Sequence, residues 1–326
     1  MEPLGVVLII SPWNFPLQLL LGPLIAAISA GCCVVLKPSE VAPETESLIV
    51  EWIPKILDPS AIRVVSGGVR ETTRLLELKF HHIFDTGSGQ IGKVVMAAAA
   101  KQLISVTLEL GGKSPVYIHK DVDPVVAARR LAWAKTMNAG QICIAPDYVM
   151  VHKELHKQLV TSLKQALIEM FSADPQQSPD YARIINKQHF QRLLNVLMRQ
   201  LALVHCKLEI GGESDASDLF IAPTVVTGVR ISDPLMEDEI FGPLLGVVEV
   251  EDEDEAIQVI QSRERPLALY VITNDKRVAN KVLDNTISGV SMVNDYMFNM
   301  VVEGMPFGGV GGSGMGSYHG HHGFLS

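Results

Sequence analysis

No charged residue stands between Glu2 and Lys37, and within that stretch 17–36 reads LQLLLGPLIAAISAGCCVVL. Two architectures satisfy such a run. It is long enough to cross a bilayer as one helix. Fully buried parallel strands around a buried helix give the same hydropathy. Pro12, Asn14, Pro16, Gln18 and Pro23 break the run into pieces. These pieces read as a short β-branched strand over 6–10, a helix over 17–30 and a strand over 33–37, so the soluble reading is preferred. The opening Met1-Glu2 puts no Lys or Arg ahead of the apolar run, and a cleaved leader is not expected.

The remaining sequence alternates strand and helix. Strands are expected at 62–66, 82–85, 104–109, 148–152, near 208–210, 220–226, 244–250, 267–273 and 289–293. Helices are expected at 70–78, 91–101, 123–137, 153–171, 187–200, 253–263 and 275–284. Asp123 followed by Pro124 reads as an N-cap with proline at the first helical position. The acidic start at 253 suits a helix dipole. This rhythm implies an α/β fold with mostly parallel sheets. At 326 residues the chain suits about two domains, with the boundary near Gly111-Gly112. Apolar residues at 48% and charged residues at 19% exclude general disorder. A net charge of −9 without a basic stretch argues against nucleic acid or an anionic membrane as partner. Four cysteines without a CxxC argue against a disulfide framework or a zinc ribbon and suggest a reducing, cytoplasmic compartment.

Gly87-Ser88-Gly89-Gln90-Ile91-Gly92 fits G-x-G-x-x-G between a predicted strand and a predicted helix. Its glycines let backbone approach a pyrophosphate at a helix N-terminus; the plainer alternative is a tight strand–helix turn. Glu109 closes the next strand, 20 residues after Gly89, where a Rossmann reading puts it on the adenosine ribose. A second match at 309–314 precedes no helical pattern and reads as a flexible or close-packed loop. Cys143 follows Asn138, Gly140, Gln141 and Ile142 just past a predicted helix. A glycine-bearing turn can present sulfur to a cleft, whereas most cysteines are small buried hydrophobes. Cys32 and Cys33 read as core, and Cys206 as core or incidental. No G-x-S-x-G elbow, H-E-x-x-H or Walker A motif is present. His319-Gly320-His321-His322 reads as solvent-exposed, and no metal site is expected.

Six segments together resemble the aldehyde dehydrogenase superfamily in its class 3-like branch of fatty and aromatic aldehyde dehydrogenases. They are Pro12-Trp13-Asn14-Phe15-Pro16, Lys37-Pro38-Ser39-Glu40, Leu108-Glu109-Leu110-Gly111-Gly112-Lys113, Gly140-Gln141-Ile142-Cys143, Glu239-Ile240-Phe241-Gly242-Pro243, and Pro306-Phe307-Gly308-Gly309-Val310-Gly311 with Ser313-Gly314-Met315-Gly316. The resemblance implies a Rossmann-like cofactor domain over 1–110, an α/β catalytic domain over 111–305, and a 306–326 tail returning to the cofactor side. It implies NAD- or NADP-dependent oxidation of an aldehyde to a carboxylate, on medium or long aliphatic or aromatic substrates. Carried over by position, Cys143 is the nucleophile, Glu109 the general base and Asn14 an oxyanion donor. Lys37 and Glu40 hold the adenosine ribose, 87–92 lies by the phosphates, and Glu239 with Phe241 holds the nicotinamide end. Glu109 thus carries two assignments, ribose and base; the second is preferred because Lys37 and Glu40 already fill the first.

Members of this branch continue beyond both ends of this chain, in pieces that help build the oligomerisation arm of the family homodimer. The resemblance therefore implies a truncated form, for which dimerisation and activity do not follow automatically. A catalytically silent binding protein is the alternative. The membrane tail or lipidated cysteine of some relatives is not expected, because the sequence ends Gly-Phe-Leu-Ser. Asp85 stands where the branch usually has an aromatic or apolar residue, and a carboxylate there would repel a pyrophosphate. Gly89 and Ile142 also depart from the branch pattern.

Overall fold

A computed structural model of the chain describes residues 2–302 and 304–326, so the Met1 of the Met-Glu opening lies outside the description. The Cα positions divide into two units, Met1–Gly111 with Met300–Ser326, and Gly112–Asn299.

In the first unit the uncharged run becomes strand, helix and strand: β1 (Val6–Ile10), α1 (Gln18–Ser29) and β2 (Cys33–Lys37). β1 and β2 pair in parallel, Val6 opposite Cys33 through Ile10 opposite Lys37. α1 has 12 residues with Pro23 inside it. No helix among the described residues is long and apolar enough to cross a membrane. There follow α2 (Pro43–Ile56), β3 (Ile62–Val64), α3 (Val69–Leu76), β4 (His82–Thr86), α4 (Gly89–Ala100) and β5 (Ser105–Glu109). α2 is absent from the sequence expectation although Pro43 opens it and Glu44 and Glu46 stand in its first turn. Its period is blurred because Leu48, Val50 and Trp52 face solvent while Ile49 and Ile53 are buried.

The sheet order is β3-β2-β1-β4-β5. The chain steps outward from β1 to β3, then returns to the other side of β1 with β4. The junction between β1 and β4 is therefore a topological switch point, where loops leaving neighbouring carboxyl ends diverge and open a crevice. Beneath it Leu8, Ile10, Ile83 and Leu108 pack against Leu75, Phe80, Val95 and Ala99.

The second unit runs β6 (Pro115–Ile118), α5 (Pro124–Thr136), β7 (Tyr148–His152), α6 (His156–Phe171), α7 (Lys187–Leu201) and β8 (Lys207–Ile210). It continues through β9 (Ser214–Asp215), β10 (Phe220–Ile221), β11 (Thr224–Thr227), α8 (Pro234–Glu237) and β12 (Leu244–Val250). It ends with α9 (Glu253–Gln261), β13 (Ala268–Ile272), α10 (Lys276–Asp284) and β14 (Val290–Val293). The seven-stranded sheet has the order β14-β13-β6-β7-β12-β11-β8, parallel except that β8 runs against β11. The Asp123 and Asp252 carboxylates cap α5 and α9 by accepting from backbone N–H groups. β6 escapes the sequence reading because all four of its residues are buried, leaving no alternation to detect.

The tail rejoins the first unit. β15 (Gly314–Met315) adds to the sheet antiparallel to β5, with Gly314 opposite Glu109, and α11 (Gly320–Leu325) lies on α1, where Gly323 approaches Ala26. Two expectations need correction here. His319 and His322 are half-buried and only His321 is exposed, because α11 is docked; His319 stacks on Phe307 at 5.3 Å between ring centres. Cys33 is exposed, since it is the first residue of β2 and hydropathy does not separate a strand end from its middle.

The 309–314 segment is close-packed at Gly309 and Gly314. A Cβ on Gly309 would stand 2.1 Å from the Ser313 carbonyl oxygen, whereas a Cβ on Gly89 meets nothing within 4 Å. Gly309→Ala should therefore lower unfolding free energy by about 2 kcal/mol or more, while Gly89→Ala in the first turn of α4 should be neutral or stabilising. Urea titration of both variants checks this, and equal midpoints would contradict it.

Candidate active site

In the first unit the sequence-predicted residues gather at the carboxyl edge of the sheet. Ser11 continues β1, and its N–H donates to the Lys37 carbonyl at 3.1 Å. Asn14 sits half-buried in the loop leaving β1. Lys37 ends β2 almost fully buried, and its ammonium donates to the Pro38 carbonyl at 2.5 Å and to Glu40 Oε2 at 3.3 Å. Glu40 is exposed beside Gly68, at the start of α3.

The glycine turn leaves β4, the strand next to β1. Ser88 is the N-cap of α4, its hydroxyl accepting from Ile91 N–H. The three glycines do different work. Gly87 makes the turn, its N–H donating to the Glu109 carbonyl at 3.0 Å. Gly89 faces open space, so another molecule can approach its backbone. Gly92 lets the helix close on the sheet: a Cβ there would lie 2.7 Å from a Leu110 methyl. Gln90 and Ile91 complete the first turn of α4, and the N-terminus of a helix suits a phosphate.

Two buried carboxyl groups flank this turn. Asp85 and Glu109 are 0% and 3% exposed, and none of their four carboxyl oxygens has a hydrogen-bond partner among the described residues. Burial pushes Asp85 from an ordinary 3.8 up to about 7 and pushes Glu109 well above the usual carboxylate range. Asp85 lies against the turn, 3.8 Å from a Cβ built on Gly87. Held neutral, it does not repel a phosphate; ionised, it would. The open backbone at Gly89 and the α4 N-terminus leave room for an approaching phosphate group.

In the second unit Cys143 follows a strained turn. Asn138, Ala139 and Gly140 all take left-handed φ angles of 50°, 51° and 75°. Only glycine fits at 140, where a Cβ would stand 2.3 Å from the Gly242 carbonyl oxygen. Gln141, buried, pins the turn from its side-chain amide. Its Nε2 donates to the carbonyls of Asn138 (3.0 Å) and Arg183 (3.1 Å), and its Oε1 accepts from Ile185 N–H (3.0 Å). On the other side of Cys143, Tyr270 O–H donates to the Ile144 carbonyl at 2.6 Å and Lys135 to the Pro146 carbonyl at 2.9 Å. Cys143 itself is half-buried.

The same packing fixes Glu239 and Phe241. Asp147 pairs with Lys113 through Oδ1 and accepts Ile240 N–H through Oδ2 at 2.8 Å. Lys113 also donates to the carbonyls of Leu235 (2.7 Å) and Asp238 (2.9 Å), and Arg192 to that of Ile240 (2.7 Å). Glu239 is half-buried; burial and the Asp147 charge push it up to about 8, against the pull of the Gly112 N–H and Lys113. Phe241 takes a left-handed φ of 46° just before Gly242. Thus Cys143 and the 239–242 segment share one packed cluster within this unit. Sequence reasoning does not single out Lys135 or Asp147, and it gives Gln141 only as a motif residue, because their partners lie at distances along the chain that no spacing rule encodes.

The family model for the aldehyde dehydrogenase family matches residues 1–326. The chain belongs to the aldehyde dehydrogenase family. It is 51% identical over 324 residues to aldehyde dehydrogenase family 3 member B1 of Bos taurus, covering 99% of this chain and 68% of that protein. Among solved structures it resembles a substrate-bound state of Staphylococcus aureus AldH, with a TM-score of 0.96, 41% identity, and coverage of 99% and 70%. It also resembles a Mycobacterium tuberculosis aldehyde dehydrogenase complexed with NAD+, with a TM-score of 0.90, 30% identity, and coverage of 99% and 67%. The chain thus spans about two thirds of the length of these relatives. Aldehyde dehydrogenases are NAD(P)-dependent oxidoreductases, and the α/β fold found here is theirs.

The buried carboxyl of Asp85 makes a stability prediction with a definite sign. Between about pH 4 and about pH 7 the folded protein holds the Asp85 proton while the unfolded chain has lost it, so stability falls as pH rises through that window and stays lowered above it. Asp85→Asn removes the penalty. The variant should unfold at higher urea than the parent at pH 8, with the gap closing by pH 4; a gap independent of pH would contradict the burial argument.

Proposed function

We propose that this chain oxidises aldehydes to carboxylates with NAD or NADP, through a covalent intermediate on Cys143, and that its substrates are medium or long aliphatic or aromatic aldehydes. The observation that carries the reading is the Cys143 turn, three consecutive left-handed residues held by Gln141 and by the Gly242 carbonyl. Strain of that kind persists only where surrounding structure enforces it, and it clusters at functional sites.

The Cys143 thiolate attacks the carbonyl carbon and forms a thiohemiacetal; the carbonyl oxygen becomes an alkoxide. The Asn14 amide and the Cys143 backbone N–H are assigned to that oxygen, each such donor being worth ~2.7–4 kcal/mol in comparable sites. NAD or NADP, held by the residues assigned below, would supply the acceptor for the hydride leaving the former carbonyl carbon. A thioester remains on Cys143. Glu109, its proton affinity raised by burial, takes a proton from water, whose oxygen attacks the thioester and releases carboxylate and thiol. Lys37 and Glu40 are assigned to the adenosine ribose, 87–92 to the pyrophosphate, and Glu239 with Phe241 to the nicotinamide end. Phosphate at the α4 N-terminus would find Gly89 open and Asp85 neutral at pH below about 7. Its proposed partner is a small-molecule aldehyde and its proposed location the cytoplasm.

The test is production of reduced cofactor, followed by its absorbance, from aldehyde and NAD or NADP. Cys143→Ser should lower turnover by at least about a thousandfold. No activity in the parent, with no protection of Cys143 from alkylation by cofactor, would instead favour a silent binding protein. Glu109→Gln separates the two assignments of that residue. As the base, it should leave a first burst of about one equivalent of reduced cofactor while slowing steady turnover. As a ribose ligand, its loss would raise KM for the cofactor and leave the burst and the later rate alike.

A further inference from the structure

Away from all of these residues, three side chains of different chemistry converge at the start of α8. His205 Nε2 lies 3.0 Å from Asp233 Oδ2, and Cys206 Sγ lies 3.6 Å from the same oxygen. All three donor atoms fall within 4.8 Å of one another. We propose that His205, Cys206 and Asp233 bind a zinc-like divalent cation, with imidazole, thiolate and carboxylate as three ligands and water as the fourth.

The spacing is close to what the ion requires. With metal–nitrogen and metal–oxygen bonds of about 2.0–2.2 Å and a metal–sulfur bond of about 2.3 Å, tetrahedral angles put ligand atoms about 3.3–3.6 Å apart. The sulfur–oxygen separation already meets this, and the nitrogen–oxygen pair must open by about 0.3 Å. The mixed nitrogen, sulfur and oxygen set suits Zn2+ or Co2+ rather than Mg2+ or Ca2+.

The donors are also held from outside the cluster. Gln200 is fully buried, and its Nε2 donates to Cys206 Sγ at 2.9 Å and to Asp233 Oδ2 at 3.0 Å, while its Oε1 accepts from Leu235 N–H at 2.9 Å. Arg230 N–H donates to Asp233 Oδ2 at 2.9 Å. Gly228, with φ at +70°, seats the His205-Cys206 backbone; a Cβ there would lie 2.3 Å from the His205 carbonyl oxygen. A fixed amide orienting two ligands is the outer support that metal sites rely on. The His205 side chain keeps 23% of its surface exposed and Cys206 is half-buried, which leaves a path for water and ion. Binding breaks the Cys206 S–H bond and forms the metal–sulfur bond, the proton passing to solvent. His205 shifts its remaining proton to Nδ1. No oxidation or reduction is involved. A bound ion would tie the α7–β8 connection to α8, which leads directly into Glu239.

Cobalt(II) reports this site without reference to enzyme activity. The full chain, freed of metal with a chelator, should take up one equivalent of Co2+, with a near-ultraviolet thiolate-to-cobalt band that Zn2+ bleaches. Cys143→Ser should keep the band, Cys206→Ser should lose it, and His205→Ala should weaken binding by about tenfold or more. No band in the folded parent, a band that survives Cys206→Ser, or one that disappears with Cys143→Ser overturns the proposal. If Cys206→Ser does not fold, the parent supplies the answer: Zn2+ should slow alkylation of Cys206, read residue by residue by mass spectrometry, and leave exposed Cys33 unprotected. Equal Cys206 rates with and without Zn2+ overturn the proposal.

Discussion

The contact on which the second unit's site depends is between two backbones. The Gly140 Cα and the Gly242 carbonyl approach so closely that no side chain can stand between them. That contact closes the turn in which 138–140 are all left-handed, just ahead of Cys143. It also couples Cys143 to the segment carrying Glu239 and Phe241, because Gly242 belongs to that segment. Moving either partner would move both. A cysteine on an ordinary helix C-terminus would have no such registration. The surrounding bonds from Gln141, Tyr270 and Lys135 then hold the carbonyls of the turn, so the strain is enforced from several elements at once.

Desolvation is the second organising cost. Asp85, Glu109 and Glu239 all have raised proton affinity, and in each case burial is the largest cause. Burying the Asp85 and Glu109 carboxyl groups without partners lowers stability at neutral pH, so a chain shaped by stability alone would replace them. For Glu109 the same burial cuts both ways for the proposed base: it favours the protonated form at rest, and the carboxylate, once ionised, draws a proton from water more readily. For Glu239 the charge of Asp147 adds to burial, but Asp147 is itself needed to hold Lys113 and Ile240 N–H. Asp85 faces the turn proposed for the pyrophosphate, where an ionised carboxyl would repel it.

Much of this was legible before the fold was known. The apolar run resolved into β1, α1 and β2, with Pro12, Asn14 and Pro16 interrupting it between β1 and α1, while Pro23 falls inside α1. Asp123-Pro124 and the acidic start at 253 marked helix ends, since capping chemistry is local. α2 and β6 were not legible, one for its mixed exposed face and the other for its lack of any polar face. Cys33 and the histidine tail were misjudged for a related reason: burial at a strand end or beneath a docked helix depends on neighbours distant in sequence. In the site, the glycine turn and the motif residues could be named from spacing and resemblance. The braces could not. Gln141 reaches Arg183 and Ile185, and Lys113 reaches Leu235 and Asp238, over intervals that no pattern specifies.

The same limit explains why the cluster at Asp233 escapes a motif search. His205 and Cys206 are neighbours in sequence, but adjacent side chains rarely converge on one point; here the Gly228 backbone lets the loop fold tightly enough that they do. Gln200 then sets sulfur and carboxylate side by side, although it would itself be a poor metal ligand. Asp233 precedes α8, and Leu235 in α8 gives its carbonyl to Lys113, which pairs with Asp147, which in turn accepts the N–H of Ile240. A chain of direct contacts therefore runs from the Asp233 cluster to the segment bearing Glu239 and Phe241. Whatever fixes Asp233 narrows the positions open to Leu235 and so to Lys113. The cluster and the proposed cofactor-holding segment are mechanically continuous, even though their chemistries are unrelated.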